Sequence, residues 1–348
     1  MRDAPTARLD IDLAALAANF RALAARQPHA EIAPVVKADA YGLGVEYVAP
    51  RLLREGAKTF FVARRDEGVR LRAIVGAGAV IYVLDGLDAP KVFAAHDLRP
   101  VLNTPEQVSL WQQAPDLKAA LHIDTGMNRL GVRPDALGDL PPVPSFSLIV
   151  SHLARADEPG HAMNAVQLAS FRAAAAALPP APLSLANSAG AFLGAGYGFD
   201  VVRPGISLYG GGPFSLPHAD IRPVAHLYGR VLQVRDLRLG ESVGYGATFT
   251  ASRDMRLATV GLGYADGVLR SFAAQGHAVV KGERRPLTGR VSMDAFSMDI
   301  SGLDVSVDDW VEIFGAHQLI DDVATASGTI AYEWLTRIGP RVERRYIG

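Results

Sequence analysis

Eight short apolar runs recur through the first two-thirds of the chain, and their rhythm limits the folds open to it. They are Ile32–Lys37, Thr59–Ala63, Val80–Leu84, Leu98–Leu102, Ala119–Asp124, Ser147–His152, Leu183–Asn187 and Val201–Arg203. Alanine-rich amphipathic segments such as Glu46–Glu55, Arg65–Val75, Pro105–Gln113 and Asn164–Leu178 lie between them. Continuous apolar strands alternating with helices predict a parallel sheet covered by helices. Eight such units over about 200 residues favour a closed (β/α)8 TIM-type barrel over an open doubly wound sheet. The unusual polar residues cluster at the ends of the runs, where a barrel builds its active site.

Beyond Pro213 the texture changes. Val224–Val234, Arg256–Gly261, Ala278–Val280, Ala295–Ile300 and Trp310–Phe314 read as strands separated by glycine or aspartate turns. Helical pattern returns around Asp321–Ala326 and Ile330–Arg337. The expected organisation is α/β: a barrel over residues 1–218 and a mostly β domain over 219–348. The first ~8 residues are candidates for packing with the second domain.

Composition excludes several classes. The 348 residues are 49% hydrophobic and 20% charged with a net charge of −1, as expected of a globular chain with mixed surface charge. No run of like charge suggests a nucleic-acid or membrane surface. Cys is absent, so disulfides, thiolate catalysis and cysteine metal sites are excluded, and no metal site is expected. The N-terminus carries acids where a signal peptide would have a basic patch and an apolar core, and no apolar stretch approaches ~20 residues. A cytoplasmic location is the expectation.

The chemistry starts at Val35-Val36-Lys37-Ala38-Asp39-Ala40-Tyr41-Gly42-Leu43-Gly44. A lysine at the end of a buried strand is desolvated, which lowers its pKa toward the neutral amine. A neutral amine condenses with an aldehyde, which is how pyridoxal 5'-phosphate (PLP) is held. On a barrel, Asp124, Arg129, His152, Asn187, Ser188, Arg203 and Gly205 would converge with Lys37 on one mouth. The Ser188 hydroxyl and the backbone around Gly205 and Ile206 are candidate phosphate donors.

Seven segments then carry a family resemblance: VVKADAYGLG, HIDTGMNRLG, VSHLARAD, ANSAG, VRPGISLYG, GYADG and GRVSMD. In this order and spacing, from about Arg8 to the C-terminus, the chain resembles the alanine racemase family. The resemblance implies a PLP-dependent isomerase interconverting L- and D-alanine, supplying D-alanine for peptidoglycan, and a head-to-tail homodimer whose active sites are shared between subunits. Lys37 would carry PLP and act as base for D-alanine. Tyr264, from the other subunit, would act as base for L-alanine, because racemisation needs a base on each face of Cα. Tyr41, Ser188, Gly205 and Ile206 would bind phosphate, and His152 would lie by the ring, hydrogen-bonding toward Arg203. Arg203 would face the pyridine nitrogen; an arginine there stays protonated and disfavours ring protonation, which suits proton removal and return over transamination. Arg129 and the Met293 backbone would hold the substrate carboxylate, with Asp294 lining the entrance.

Two positions depart from the family pattern. His122 stands where many members have a lysine, carbamylated in some, so Arg129 is expected to be oriented by another acceptor, a bound anion or water. Pro340 falls near the place of a C-terminal tyrosine that contacts phosphate in some members. The other readings are a racemase of broader amino-acid range, a PLP decarboxylase of the same barrel type, which the absence of Cys disfavours, and a non-catalytic PLP-binding protein. The presence of Tyr264 and Met293 argues against the non-catalytic reading.

Overall fold

A computed structural model describes residues 5–114, 116–142 and 145–348 of the chain. Of the N-terminal residues considered above, Met1–Ala4 lie outside the described residues. The chain divides into two compact units, Ala17–Leu208 and a second that joins the N-terminal residues through Leu16 to Tyr209–Gly348.

The first unit holds all eight apolar runs. A six-stranded parallel sheet runs in chain order through Thr59–Val62, Val80–Val83, Leu98–Leu102, Ala120–His122, Leu148–Val150 and Leu183–Ser184. Glu31–Ile32 pairs in parallel with Val201–Val202. Hydrogen bonds close the ring on both sides. Val36 N–H donates to Phe61 O at 2.8 Å on one side, and Arg203 N–H donates to Ala186 O at 2.9 Å on the other. The result is the expected parallel barrel, with Phe60, Phe61, Ile81, Leu121 and Ile149 essentially inaccessible to solvent.

Local chemistry sets the helices between the strands. Val45, Val48, Ala49 and Leu52 form the buried stripe of helix Val45–Arg54 at helical spacing. Helix Pro105–Gln112 starts with Pro105 in its first turn, and the Thr104 hydroxyl accepts from Gln107 N–H at 3.3 Å.

The second unit is built on antiparallel strands. Ala225–Leu237 pairs with both Met255–Val260 and Trp310–Phe314, and Phe296–Asp299, Glu283–Thr288 and His277–Val280 complete a closed ring of six. A register shift between Val231 and Gln233 lets the long strand serve two neighbours. Ala7–Asp12 pairs antiparallel with Ala225–Leu237 and parallel with the last strand, Glu343–Ile347. The strands Ala7–Asp12, Glu283–Thr288 and Glu343–Ile347 add to those read from the sequence. Among the described residues no helix is long and apolar enough to cross a membrane, and no cluster of His, Asp or Glu could hold a metal ion.

Trp334, fully buried, anchors the helical cover of this unit. Its ring meets Phe272 and Phe314 edge-on, with centroids 5.2 and 6.0 Å away, and its Nε1–H donates to Ser327 Oγ at 3.2 Å. Trp334→Ala should therefore destabilise this unit by about 3–5 kcal/mol in urea unfolding, and Trp334→Phe by much less. A loss below about 1 kcal/mol for the alanine variant would mean that the helices are anchored elsewhere.

Candidate active site

The first barrel strand stops short of Lys37. The chain turns there, and Ala38, Asp39, Ala40 and Tyr41 follow with φ of 52°, 56°, 55° and 59°. This is a left-handed turn of four non-glycine residues, a conformation that costs L-residues roughly 1–2 kcal/mol each. Its own hydrogen bonds hold it: Ala40 N–H to Val36 O at 2.9 Å, Gly42 N–H to Ala38 O at 2.8 Å and Gly44 N–H to Asp39 O at 3.0 Å. The Glu67 carboxylate fixes its start by accepting from Ala38 N–H at 2.7 Å, Ala63 N–H at 2.9 Å and Arg64 N–H at 3.1 Å. Burial, and then the nearby Arg129 cation, push the Lys37 amine below its ordinary pKa, with Glu67 and Asp85 opposing.

The turn carries Tyr41 inward, where it is buried beside Gly205. A Cβ on Gly205 would clash with the Tyr41 hydroxyl, so any other residue there would displace the phenol ring. Ser188 Oγ accepts from Gly205 N–H at 2.9 Å and Ser207 N–H at 3.3 Å. With its oxygen so occupied, the Ser188 hydroxyl proton is left without an acceptor among the described residues. The Ser207 hydroxyl is buried and has no partner either. A buried hydroxyl lacking an acceptor is costly unless a ligand supplies one, and Ser188, next to Gly205, is placed to serve an oxyanion group. The Gly205 N–H, expected to face a ligand, is instead spent on Ser188. Ile206 N–H finds no acceptor among the described residues.

Arg203 lies buried at the end of the last strand. It donates to Ser184 Oγ at 2.5 Å and Ser151 O at 2.6 Å, and its Nη2 lies 3.4 Å from His152 Nδ1. Burial lowers its pKa to about 10, so it remains a cation at neutral pH. An arginine only donates, so His152 Nδ1 accepts and the proton of the neutral ring sits on Nε2. Burial and the Arg203 charge hold His152 far below its usual pKa. Asn187 turns away from this group, its Oδ1 accepting from Gly190 N–H at 2.9 Å.

His122 has the opposite tautomer. Asn103 Nδ2 donates to Leu84 O and Val101 O, both at 2.9 Å, so Asn103 Oδ1 is an acceptor. His122 Nδ1, 2.8 Å from that oxygen, must then carry the proton and leave Nε2 with a lone pair. Burial, then Arg203, bring the His122 pKa down to about 4. Asp124 Oδ1 accepts from Gly126, Met127 and Asn128 N–H at 3.0, 2.9 and 3.1 Å, building the loop that presents Arg129. The exposed Arg129 has no side-chain hydrogen bond or ion pair among the described residues, so no carboxylate of the chain orients it.

The second unit presents a separate group. Tyr264 N–H donates to Ser292 O and Ala265 N–H to Met293 O, each at 3.0 Å, which joins the GYADG turn to the GRVSMD segment. Tyr264 is 40% exposed and Met293 52%. Tyr264 borders an open cleft of about 560 Å³ with Tyr245, Arg270, Arg290 and Arg337. Tyr346 lies in the C-terminal strand, paired with Ile11. Sequence reasoning did not single out Glu67, Asn103, Ser207, Asp266 or Arg341. Glu67 had a signal, an acid at the third helical position able to reach back to backbone N–H groups.

A partly desolvated lysine, a buried serine hydroxyl and a buried arginine at one barrel mouth are groups of the kind that a protein handling a phosphorylated carbonyl compound needs. Residues 11–213 match the family model for the alanine racemase N-terminal domain, and residues 224–346 that for the C-terminal domain. An alanine racemase of Rhizobium meliloti is 44% identical, covering 99% of this chain and 97% of its own. A catabolic alanine racemase of Agrobacterium fabrum is also 44% identical, covering 97% and 92%. The crystal structure of alanine racemase from Bartonella henselae with covalently bound pyridoxal phosphate matches with a TM-score of 0.94 and 37% identity, covering 99% of this chain and 100% of that one. The biosynthetic alanine racemase of Pseudomonas aeruginosa matches with a TM-score of 0.92 and 36% identity, covering 99% and 100%. The chain belongs to the alanine racemase family.

The histidine assignment makes two predictions. In ¹⁵N NMR, His122 should show a protonated Nδ1 and a bare Nε2 from neutral pH down to about pH 5, and Asn103→Asp should raise its pKa. A protonated Nε2 in the neutral ring would contradict the Asn103 bond. The second concerns acid stability. Between the ordinary pKa of 6.5 and the folded value of about 4, the unfolded chain binds a proton that folded His122 refuses. Stability is therefore flat above that window and falls as pH drops through it, by up to about 3 kcal/mol from this residue. His122→Gln should flatten part of the slope, His152 supplying the remainder. An unchanged slope would show that His122 is charged in the fold.

Proposed function

We propose that this chain is a PLP-dependent alanine racemase in which Lys37 and Tyr264 act as bases on opposite faces of the substrate. The observation that carries this reading is the acceptor-less hydroxyl of Ser188, held by the Gly205 and Ser207 N–H groups beside Tyr41 and Ile206. It fits a phosphate and shares its mouth with a desolvated lysine. Lys37 would hold the cofactor aldehyde, Arg203 would donate to the ring nitrogen and His152 would lie beside the ring. When bound, PLP withdraws electrons from the Cα of the amino acid joined to it and so acidifies the α-hydrogen.

The remaining tasks fall to the chain. Lys37, its pKa lowered by burial, takes or returns a proton at Nζ on the D face. Tyr264 Oη does the same on the L face. Arg203 keeps its charge and so limits how far the ring draws electrons, which favours returning the proton at Cα. Arg129 and the Met293 backbone hold the carboxylate, with Asp294 at the entrance. We assign Tyr264 to the active site of a second copy of the chain in a homodimer. The exposure of Tyr245, Tyr264 and Met293, at 74%, 40% and 52%, supports a surface presented to a partner.

Isotope exchange and complementation test the reading. In deuterated water, Tyr264→Phe should lose α-hydrogen exchange from L-alanine by about a hundredfold or more while retaining most exchange from D-alanine. Lys37→Ala should lose both, together with the visible absorbance of bound cofactor. Mixing the two inactive variants should restore roughly a quarter of wild-type activity, because half of random dimers carry one intact shared site. Equal loss from both enantiomers in Tyr264→Phe would overturn the two-base assignment, and no recovery on mixing would overturn the shared site.

A further inference from the structure

Tyr264 offers its phenol without any side chain gripping it: among the described residues its hydroxyl has no hydrogen bond. The position of that oxygen therefore depends on the turn Gly263–Gly267 and on what immobilises it. We propose that Arg341 is a positioning residue for Tyr264, its guanidinium tying this turn to the Ser292–Asp294 segment. The inference rests on the reading of Tyr264 as a base.

Asp266, buried within the turn, is the hub. Its Oδ2 accepts from Gly263 N–H at 2.8 Å, the residue directly before Tyr264. Its Oδ1 takes Arg341 Nε at 3.0 Å and Nη2 at 2.9 Å. The third donor of the same planar group, Nη1, reaches Asp294 Oδ1 at 2.8 Å, one residue after Met293. One guanidinium thus spans both segments that carry candidate site residues, a geometry a lysine ammonium cannot reproduce.

Arg341 is itself fixed. Arg344 donates to Ile338 O at 3.0 Å, Gly339 O at 3.2 Å and Val342 O at 3.3 Å, which closes the bend that carries it. Gly339 N–H donates to Asp266 O at 3.0 Å. A Cβ on Gly339 would fall 2.8 Å from Ala265 O, and one on Gly263 would fall 2.3 Å from Met293 O. The segments are in backbone contact, so a shift of Arg341 passes directly to Tyr264.

Arg341→Met, Arg341→Lys and Asp294→Asn, each with PLP bound, test this beside Tyr264→Phe. Net racemisation cannot report it, because enantiomers have equal free energies and kcat/KM is tied in the two directions. Exchange of the α-hydrogen with deuterated water, started from each enantiomer, is the measurement. Arg341→Met should lower exchange from L-alanine about tenfold and from D-alanine less than about twofold, and amide exchange over residues 263–266 should quicken about tenfold. Arg341→Lys should recover part of the loss. Should Arg341→Met fail to fold, the milder Arg341→Lys must still show a larger loss from L-alanine than from D-alanine. Equal loss from both enantiomers, or faster amide exchange with L-alanine exchange unchanged, would overturn the positioning role. If Tyr264→Phe itself does not separate the enantiomers, the reading of Tyr264 fails and the role falls with it. If only the Arg341 and Asp294 variants fail to separate them, the reading of Tyr264 stands.

Discussion

The Glu67 carboxylate gathers three backbone N–H groups, and the placement of Lys37 depends on it. One donor, from Ala38, begins the left-handed turn, while the other two, from Ala63 and Arg64, belong to the neighbouring strand end and helix start. Four non-glycine residues do not hold this conformation on their own. They hold it here because both ends are fixed and Tyr41 is buried beside a glycine with no room for another atom. The same turn sets Lys37 at the mouth and carries Tyr41 beside Gly205, so one carboxylate places two residues of the proposed site.

Charge at the mouth is arranged in one direction. Lys37, Arg129 and Arg203 supply cationic groups, and both histidines are held neutral with opposite tautomers, His152 accepting from Arg203 and His122 donating to Asn103. An excess of donors suits a phosphate and a carboxylate arriving together. Neutral histidines spare the site two further positive charges, and a lysine with a lowered pKa can accept a proton. In the proposed reading an arginine, rather than a carboxylate, faces the cofactor ring nitrogen, which favours return of the proton at Cα.

Much of this was legible in the sequence. The eight apolar runs gave the barrel strands within a few residues, because a strand buried on both faces has little choice but to be apolar. Other features depend on distant partners. Ala7–Asp12 alternates buried and half-buried residues, as a strand with one covered face should, yet its partner Ala225–Leu237 lies more than two hundred residues away. Lys37 was expected to end a strand, and the left-handed turn after it runs against the propensities of alanine and tyrosine; tertiary fixation by Glu67 decides it. The Gly205 N–H looked like a ligand group but satisfies Ser188, and Asn187, expected at the mouth, bonds to the Gly190 backbone. Asn103, Asp266 and Arg341 act only through the partners that folding brings to them, and no local pattern marks such residues.

The account rests on Lys37 being held desolvated by its turn, and its titration tests that directly. Competitive chemical labelling of the amine in cofactor-free protein, followed across pH, reports its pKa. The structure requires a value below the ordinary 10.5, because burial and Arg129 outweigh Glu67 and Asp85. A value at or above that of an exposed lysine would place the amine in water and contradict the account.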